Sequence, residues 1–166
     1  MGTGPNLTTI EELAEWREKE LGTSEWLEIT QDRVNTFAEA TDDHQYIHVD
    51  PVRAGETIFG GTIAHGYLTL SLIPALSARR GGARVDLGAR MTINYGVNRV
   101  RFPAPVSVGS RVRLRTHLLD VESITDSIVQ IVYQQTIEIE NEDKPACVAE
   151  TISRLYLKRT CSKAPA

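Results

Sequence analysis

Ten consecutive residues, 42–51, carry a dense group of titratable side chains. The stretch reads DDHQYIHVDP and contains three carboxylates, two imidazoles and one tyrosine ring. Asp43 and His48 are the pair whose chemistry is most useful. Histidine titrates near neutral pH, and a neighbouring carboxylate can orient the ring or take a proton itself. If these two side chains meet, the stretch predicts a site for proton transfer.

The backbone of this stretch decides whether Asp43 and His48 can meet. They lie five positions apart, which on a regular helix would turn their side chains far from each other. Pro51 disfavours helix at the preceding residue, and the β-branched Ile47 and Val49 suit an extended chain. We therefore expect neither helix nor strand here. A loop would let both side chains converge on one small molecule, such as a water.

Two other kinds of chemistry fit the same residues less well. A serine-type triad needs a nucleophile, and no G-x-S-x-G pattern occurs. Asp42, Asp43, His44 and His48 are possible metal ligands by type, but their spacing matches no familiar zinc pattern. We therefore expect no metal and no separate cofactor. Each residue alone also has a structural reading, Asp43 as a turn residue and His48 as a hydrogen-bonded core histidine.

Two helices are predicted before this stretch. Thr8 and Glu11 match a capping box and predict a helix over residues 8–21. Thr30 can cap a second helix that leads directly into residues 42–51.

A long apolar segment and a series of strand patterns come after the stretch. Residues 64–78 are apolar on nearly every side, which indicates a buried helix, and Pro74 can bend or divide it. Four strand candidates follow, at residues 91–102, 111–121, 128–139 and 146–157. A helix packed on antiparallel strands is an α+β domain. We expect one domain over residues 1–166, with loose termini at 1–7 and 159–166.

Composition limits the class of protein. Of 166 residues, 41% are hydrophobic and 24% charged, which is enough to bury a core. The net charge of −4 argues against nucleic-acid binding, and no apolar run is long enough to span a membrane. The N-terminus lacks the basic and apolar parts of a signal peptide. Cys147 and Cys161 are too few for a disulfide framework, so we expect ordinary thiols and a cytoplasmic protein.

Three segments resemble the MaoC-like proteins. Asp43 to His48 is similar to the hydratase-2 motif of that family, G-D-x-N-P-x-H, and both catalytic positions match in register. Residues 61–66, GTIAHG, resemble the glycine turn before the central helix of the family. Residues 100–109 resemble its later P-V-x-x-G element. The likeness covers roughly residues 25–158 in matching order, which is harder to obtain by chance than one motif.

The motif departs from the family pattern at three positions. Asp42 replaces the usual glycine, Gln45 the asparagine and Tyr46 the proline. The Gln45 amide can still donate and accept hydrogen bonds, and Tyr46 can line an acyl pocket.

The resemblance implies a fold, an activity and a set of site residues. The family has the hot-dog fold, an antiparallel sheet wrapped around a long central helix, and forms homodimers whose sheets join edge to edge. Its members reversibly add water to trans-2-enoyl-CoA thioesters and give (R)-3-hydroxyacyl-CoA. Asp43 and His48 would be catalytic, and the Gly66 backbone N–H would be the oxyanion donor. We expect the substrate-binding residues to be Gln45, Tyr46, His65 and Tyr67.

Two other functions remain open at this level. A hot-dog acyl-CoA thioesterase would share the fold, although such enzymes generally lack the D-x-x-x-x-H loop. A noncatalytic acyl-thioester binding subunit of a heteromeric dehydratase belongs to a different class. In each case coenzyme A enters only as part of the thioester.

Overall fold

A six-stranded antiparallel sheet organises the computed structural model, which describes residues 3–158. Its strands follow the order β2-β6-β7-β8-β5, and β3 pairs with β6 beyond β2. A separate parallel pair joins β1 to β4. The strands are β1 Thr3–Leu7, β2 Glu20–Thr23, β3 Leu27–Glu28, β4 Gly82–Val85, β5 Ala89–Arg101, β6 Arg111–Thr125, β7 Ile128–Ile139 and β8 Cys147–Leu157.

Buried and partly exposed side chains alternate along the central strands, and the buried ones form the sheet face that packs in the core. In β6, Val112, Leu114, Thr116 and Leu118 are buried, while Arg113, Arg115 and His117 between them are partly exposed. Successive strand side chains point to opposite faces of a sheet, so this pattern places one face against the helices. The predicted strands 111–121, 128–139 and 146–157 are confirmed to within a few residues.

Two short helices in series cover this sheet face. The helices of the chain are α1 Ile10–Ala14, α2 Gln31–Thr41, α3 Tyr46–Val49, α4 Pro51–Gly55, α5 Gly66–Ser71 and α6 Ile73–Ser77. Leu68 of α5 and Leu76 of α6 belong to one buried cluster with Val112 and Ile137 of the sheet. No helix between residues 3 and 158 is long and apolar enough to cross a membrane.

The predicted helix over 64–78 is present but divided at Leu72. Pro74 lies in the first turn of α6, where its missing N–H costs no hydrogen bond. The division is therefore the outcome expected for a proline at this place. Helices packed on an antiparallel sheet confirm the α+β class.

The N-terminal prediction is wrong in two respects. Thr3–Leu7, expected as part of a loose terminus, forms β1 and pairs with Gly82–Val85. The capping box lies one residue later than predicted, on Thr9 and Glu12, and its helix ends at Ala14. Residues 1, 2 and 159–166 lie outside the described residues.

The second helix and the buried cysteine agree with the sequence interpretation. The Thr30 side chain accepts a hydrogen bond from the Arg33 N–H at the start of α2, as predicted. Cys147 is buried as a free thiol, and burial raises its pKa to about 11. Cys161 lies outside the described residues.

Strand β5 differs from the others because it forms one edge of the sheet. It continues through Gly96, with a shift in register between Asn94 and Gly96. Within the described residues it pairs only with β8, so one side of its backbone is open.

Candidate active site

Asp43 and His48 come together, and His65 joins them. One ligand-type atom from each of the three side chains lies within 4.8 Å of the other two. His48 and His65 are buried, at 7% and 2% exposed, whereas Asp43 is exposed. The two imidazoles of the site are therefore buried, and the carboxylate lies on the side that faces solvent.

The backbone that positions this group is partly helical, which corrects the expectation of an irregular stretch. Helix α2 ends at Thr41, and the C-cap residue Asp42 that follows is in the left-handed conformation, at φ 56° and ψ 23°. The next residue, Asp43, leaves the helix axis, and the four-residue helix α3 then carries His48. Asp50 is extended before Pro51, as predicted from the proline. The reversal at Asp42 brings the two side chains together.

The local geometry explains the residues usually found in this motif. The position of Asp42 requires positive φ, which glycine adopts at least cost and aspartate tolerates better than most residues. Gln45 is the N-cap of α3 and makes no side-chain cap bond, for which the shorter asparagine is better suited. Tyr46 is the first residue of α3, where proline is favoured. The backbone turn between α2 and α3 therefore forms with Asp42, Gln45 and Tyr46 at these three positions.

A backbone carbonyl fixes the tautomer of His48. Its Nδ1 lies 2.7 Å from the Ile63 carbonyl oxygen and must donate, so the neutral ring keeps a lone pair on Nε2. Burial lowers the pKa of His48, and the nearby His65 lowers it further, while the Ile63 carbonyl and Asp43 act in the opposite direction. His48 is therefore a neutral proton acceptor at pH 7.

His65 links the other members of the group. Its ring stacks on His48 with 3.7 Å between centroids and an interplanar angle of 26°. Its Nε2 donates a hydrogen bond of 2.9 Å to the Asp43 carbonyl oxygen. Since the ring is 2% exposed and is surrounded by Phe37, Asp43 and His48, we assign it to positioning. Substrate binding by His65, expected from the sequence, stays a prediction, and none of these contacts favours it.

Gly66 follows His65 as the first residue of α5, and its N–H makes no hydrogen bond to a described residue. A Cβ at this position would lie 3.0 Å from the Phe102 ring. Glycine therefore allows close packing against Phe102, and the unused amide donor belongs to the residue that follows His65. Its oxyanion role stays a prediction.

The remaining predicted binding residues lie on the solvent side. Gln45 is exposed, and Tyr46 is half-buried with the Arg53 guanidinium 4.3 Å from its ring centroid. Tyr67 is 72% exposed and meets Phe102 edge to face. Their contact with substrate stays a prediction.

Sequence reasoning missed the residues that hold the site together. Gln31 donates to the His48 carbonyl at 2.7 Å and accepts from the Thr62 hydroxyl at 2.5 Å, so it joins α2, α3 and the glycine turn. The Ile63 carbonyl and the Phe102 ring are further examples. Both lie in segments that resemble the family, but resemblance alone does not reveal their contacts.

The three converging side chains are also of kinds that bind metal ions. His48 Nδ1 and His65 Nε2 already donate to backbone carbonyls, so each ring offers one remaining nitrogen. The expectation that no metal takes part stays a prediction.

A match to a family model covers most of this architecture. The model described as MaoC like domain matches residues 13–139. The chain belongs to the MaoC-like family.

Two curated relatives extend this result. The 3-hydroxyacyl-thioester dehydratase Z of Mycobacterium tuberculosis is 49% identical over 146 residues, which is 88% of this chain and 95% of the relative. Nodulation protein N of Rhizobium meliloti is 50% identical over 136 residues, 81% of this chain and 83% of the relative.

A solved structure supports the fold. The (R)-hydratase from A. caviae involved in PHA biosynthesis has a TM-score of 0.62 at 24% identity, and the match covers 82% of this chain and 96% of that one. The predicted hot-dog fold is confirmed. With the MaoC-like family and the dehydratase relative, the chain is an enzyme of the hydro-lyase class.

Replacing His65 by phenylalanine tests its positioning role. Phenylalanine keeps an aromatic ring on His48 but cannot donate to the Asp43 carbonyl, so we expect dehydratase kcat/KM to fall by about 100-fold through misplacement of the carboxylate. The pKa of His48 should rise because His65 lowers it in the wild type. The acid limb of the pH–rate profile should therefore move to higher pH. His44→Phe is the matched control, since His44 lies in an exposed position. A wild-type rate and profile in His65→Phe would contradict the assignment.

Proposed function

We propose that this protein catalyses the reversible hydration of trans-2-enoyl-CoA thioesters to (R)-3-hydroxyacyl-CoA. The observation that carries the proposal is the approach of the Asp43 carboxylate to the His48 ring. The Gly66 N–H, which makes no hydrogen bond to a described residue, directly follows the stacked His65 in the chain. The family and the dehydratase relative support the reaction class.

The spacing suits one water between Asp43 and His48. Two hydrogen bonds of about 2.8 Å that meet at a tetrahedral angle separate their outer atoms by about 4.6 Å. One ring nitrogen of His48 and one carboxylate oxygen of Asp43 lie within 4.8 Å of each other. A carboxylate oxygen and the His48 Nε2 are both acceptors, so the water donates both its protons and directs a lone pair away from the pair.

The proposed reaction then adds the water across the C2–C3 double bond, with the oxygen on C3 and one proton on C2. The thioester carbonyl accepts a hydrogen bond from the Gly66 N–H, which draws electron density toward its oxygen. The water oxygen forms a bond to C3, the π pair of the C2–C3 double bond moves toward C2 and the carbonyl, and the Asp43–His48 pair takes one proton from the water. That proton passes to C2 on the same face. Dehydration follows the same steps in reverse.

Crotonyl-CoA is the substrate that tests this proposal. We expect loss of the enoyl absorbance and formation of (R)-3-hydroxybutyryl-CoA. Asp43→Asn and His48→Ala should each reduce the rate by about 10²- to 10⁴-fold, the usual contribution of a general acid or base. Asp42→Asn and His44→Ala are matched controls, because they change the neighbouring carboxylate and imidazole. Near-normal rates in Asp43→Asn or His48→Ala would remove that residue from the mechanism.

The same assay separates the other functions. Release of free thiol without an (R)-3-hydroxy product would indicate a thioesterase. Tight binding of crotonyl-CoA with neither change would indicate a noncatalytic binding subunit.

The state of His48 predicts the acid side of the pH profile. Its pKa lies below the ordinary value of 6.5 because of burial, so the neutral base persists to lower pH than in an exposed histidine. Activity should be lost only as pH falls through that lowered pKa, and the acid midpoint of kcat/KM should lie below 6.5. An NMR titration of the His48 ring measures the pKa directly. A midpoint at or above 6.5 would contradict the assignment.

We also propose a homodimer joined along β5. This edge strand exposes four large apolar side chains at alternating positions, each 40–55% exposed, namely Met91, Ile93, Tyr95 and Val97. An open edge with apolar side chains favours pairing with another strand. A second copy of the same strand satisfies its backbone groups and covers these side chains.

Charge on β5 should dissociate this dimer. We expect Ile93→Lys and Tyr95→Lys to reduce the mass measured by sedimentation from two chains to one, because two like charges would meet across the strand pair. Ile124→Lys is the control, since it places the same charge on an exposed apolar residue of β6. A monomeric wild type, or dimeric variants, would contradict the proposal.

A further inference from the structure

A large cavity lies between the two central helices and the sheet. Its volume is about 680 Å³, and Leu70, Ile73, Val97, Ile152 and Leu155 supply much of its apolar lining. Asp43, His48 and Gly66 do not line it. Since its first lining residue on α5, Leu70, comes one helical turn after Gly66, the cavity extends along the helix away from the catalytic group.

Arg80 puts a positive charge on this largely apolar cavity. Its Nη1 is buried and makes no hydrogen bond to a described residue. No carboxylate between residues 3 and 158 forms an ion pair with it, whereas four other arginines do, namely Arg17, Arg111, Arg113 and Arg115. An arginine stays charged in proteins, and a buried charge without a partner is costly. This guanidinium therefore lacks an anion.

The backbone around Arg80 holds the side chain in place. Its N–H donates to the Ser77 carbonyl at 3.2 Å at the end of α6, and its backbone bridges to Ser24. The residue is thus fixed on two sides, and its position on the cavity does not depend on a side-chain partner.

Two neutral donors on the sheet accompany the guanidinium. The Oε1 of Gln135 accepts a hydrogen bond of 2.8 Å from the Thr116 hydroxyl. Its amide N–H groups have no partner among the described residues. Burial raises the pKa of Tyr133 to about 12, partly offset by the charge of Arg80, so the phenol keeps its proton. Both residues line the same cavity. Neither the Arg80 Nη1 nor the amide N–H groups of Gln135 have a hydrogen-bond partner among the described residues.

From this arrangement we propose that the cavity binds the far end of an acyl chain that carries a carboxylate, and that Arg80 determines this preference. The apolar lining takes the methylene part of the chain, and the guanidinium pairs with the terminal carboxylate, assisted by Tyr133 and Gln135. Arginine suits this role because its planar fork matches a carboxylate. The proposal rests on the proposed function, since it names the class of acyl group that enters the hydration site.

The test compares matched pairs of enoyl-CoA substrates in the wild type. Each pair has the same chain length and ends in a carboxylate or a methyl group, for example trans-2-hexenedioyl-CoA with trans-2-hexenoyl-CoA, and trans-2-dodecenedioyl-CoA with trans-2-dodecenoyl-CoA. We expect kcat/KM for the carboxylate-ended member to be roughly 10- to 100-fold higher in at least one pair, the range typical of a charged hydrogen bond. No preference in any pair overturns the proposal.

Two arginine variants show whether Arg80 is responsible. Arg80→Met should lose the preference while its rates on methyl-ended substrates stay unchanged or rise, which also shows that the variant folds. Arg79→Met is the matched control, because Arg79 is exposed and does not line the cavity, and it should keep the preference. Retention of the preference in Arg80→Met overturns the proposal. So does dissociation of the dimer without a change in preference, which would show that Arg80 pairs with a second copy of the chain.

A binding measurement keeps this result separate from the hydration activity. Titration calorimetry with saturated dodecanedioyl-CoA and dodecanoyl-CoA measures the same preference without turnover. Failure to hydrate crotonyl-CoA would reject the proposed function, whereas equal affinity for these two ligands would reject the role of Arg80.

Discussion

The stacked pair of imidazoles is the constraint on which the site depends. His48 and His65 lie 3.7 Å apart between ring centroids, and each donates one N–H to a backbone carbonyl. Two positive charges about 4 Å apart repel by roughly 4 kcal/mol at an effective dielectric of 20. The two rings therefore cannot both be protonated near neutral pH without a large cost. The stack keeps His48 available as a base, while the carbonyl of Ile63 decides which nitrogen carries the lone pair.

This constraint unites segments that are distant in the sequence. His65 contacts the carbonyl of Asp43 across 22 residues, and Gln31 connects the His48 carbonyl to Thr62. The chain from α2 to α5 thus forms one hydrogen-bonded unit on the helical side of the sheet. Because α5 is anchored by Leu68 in the core, the positions of His65 and Gly66 at its start depend on the packing of that core.

The sequence could predict those features that depend on local patterns. The strand at 128–139 followed from alternating apolar residues, the start of α2 from Thr30, and the Asp43–His48 pair from a motif matched in register. Long-range contacts were not accessible in this way. The parallel pairing of β1 with β4 joins segments about 80 residues apart, and neither segment has a strong strand pattern of its own. The short helix α3 was missed because four residues with two β-branched side chains favour an extended chain. The stacking partner of His48 was likewise hidden, since a histidine before a helix has no local signal for a contact with the earlier loop.

The separation between the catalytic group and the cavity has a consequence for specificity. Asp43, His48 and Gly66, which we propose handle water and the thioester, lie between the end of α2 and the start of α5. The cavity is lined by the later part of α5, by α6 and by the sheet. Substitutions on the cavity wall can therefore change which acyl group the protein prefers without moving Asp43, His48 or Gly66. Arg80 is such a wall residue, and its buried Nη1 has no hydrogen-bond partner among the described residues, which costs free energy of folding. In the role that we propose, an acyl carboxylate in the cavity would remove this cost on binding, so the charge that lowers the stability of the free protein would also select the substrate.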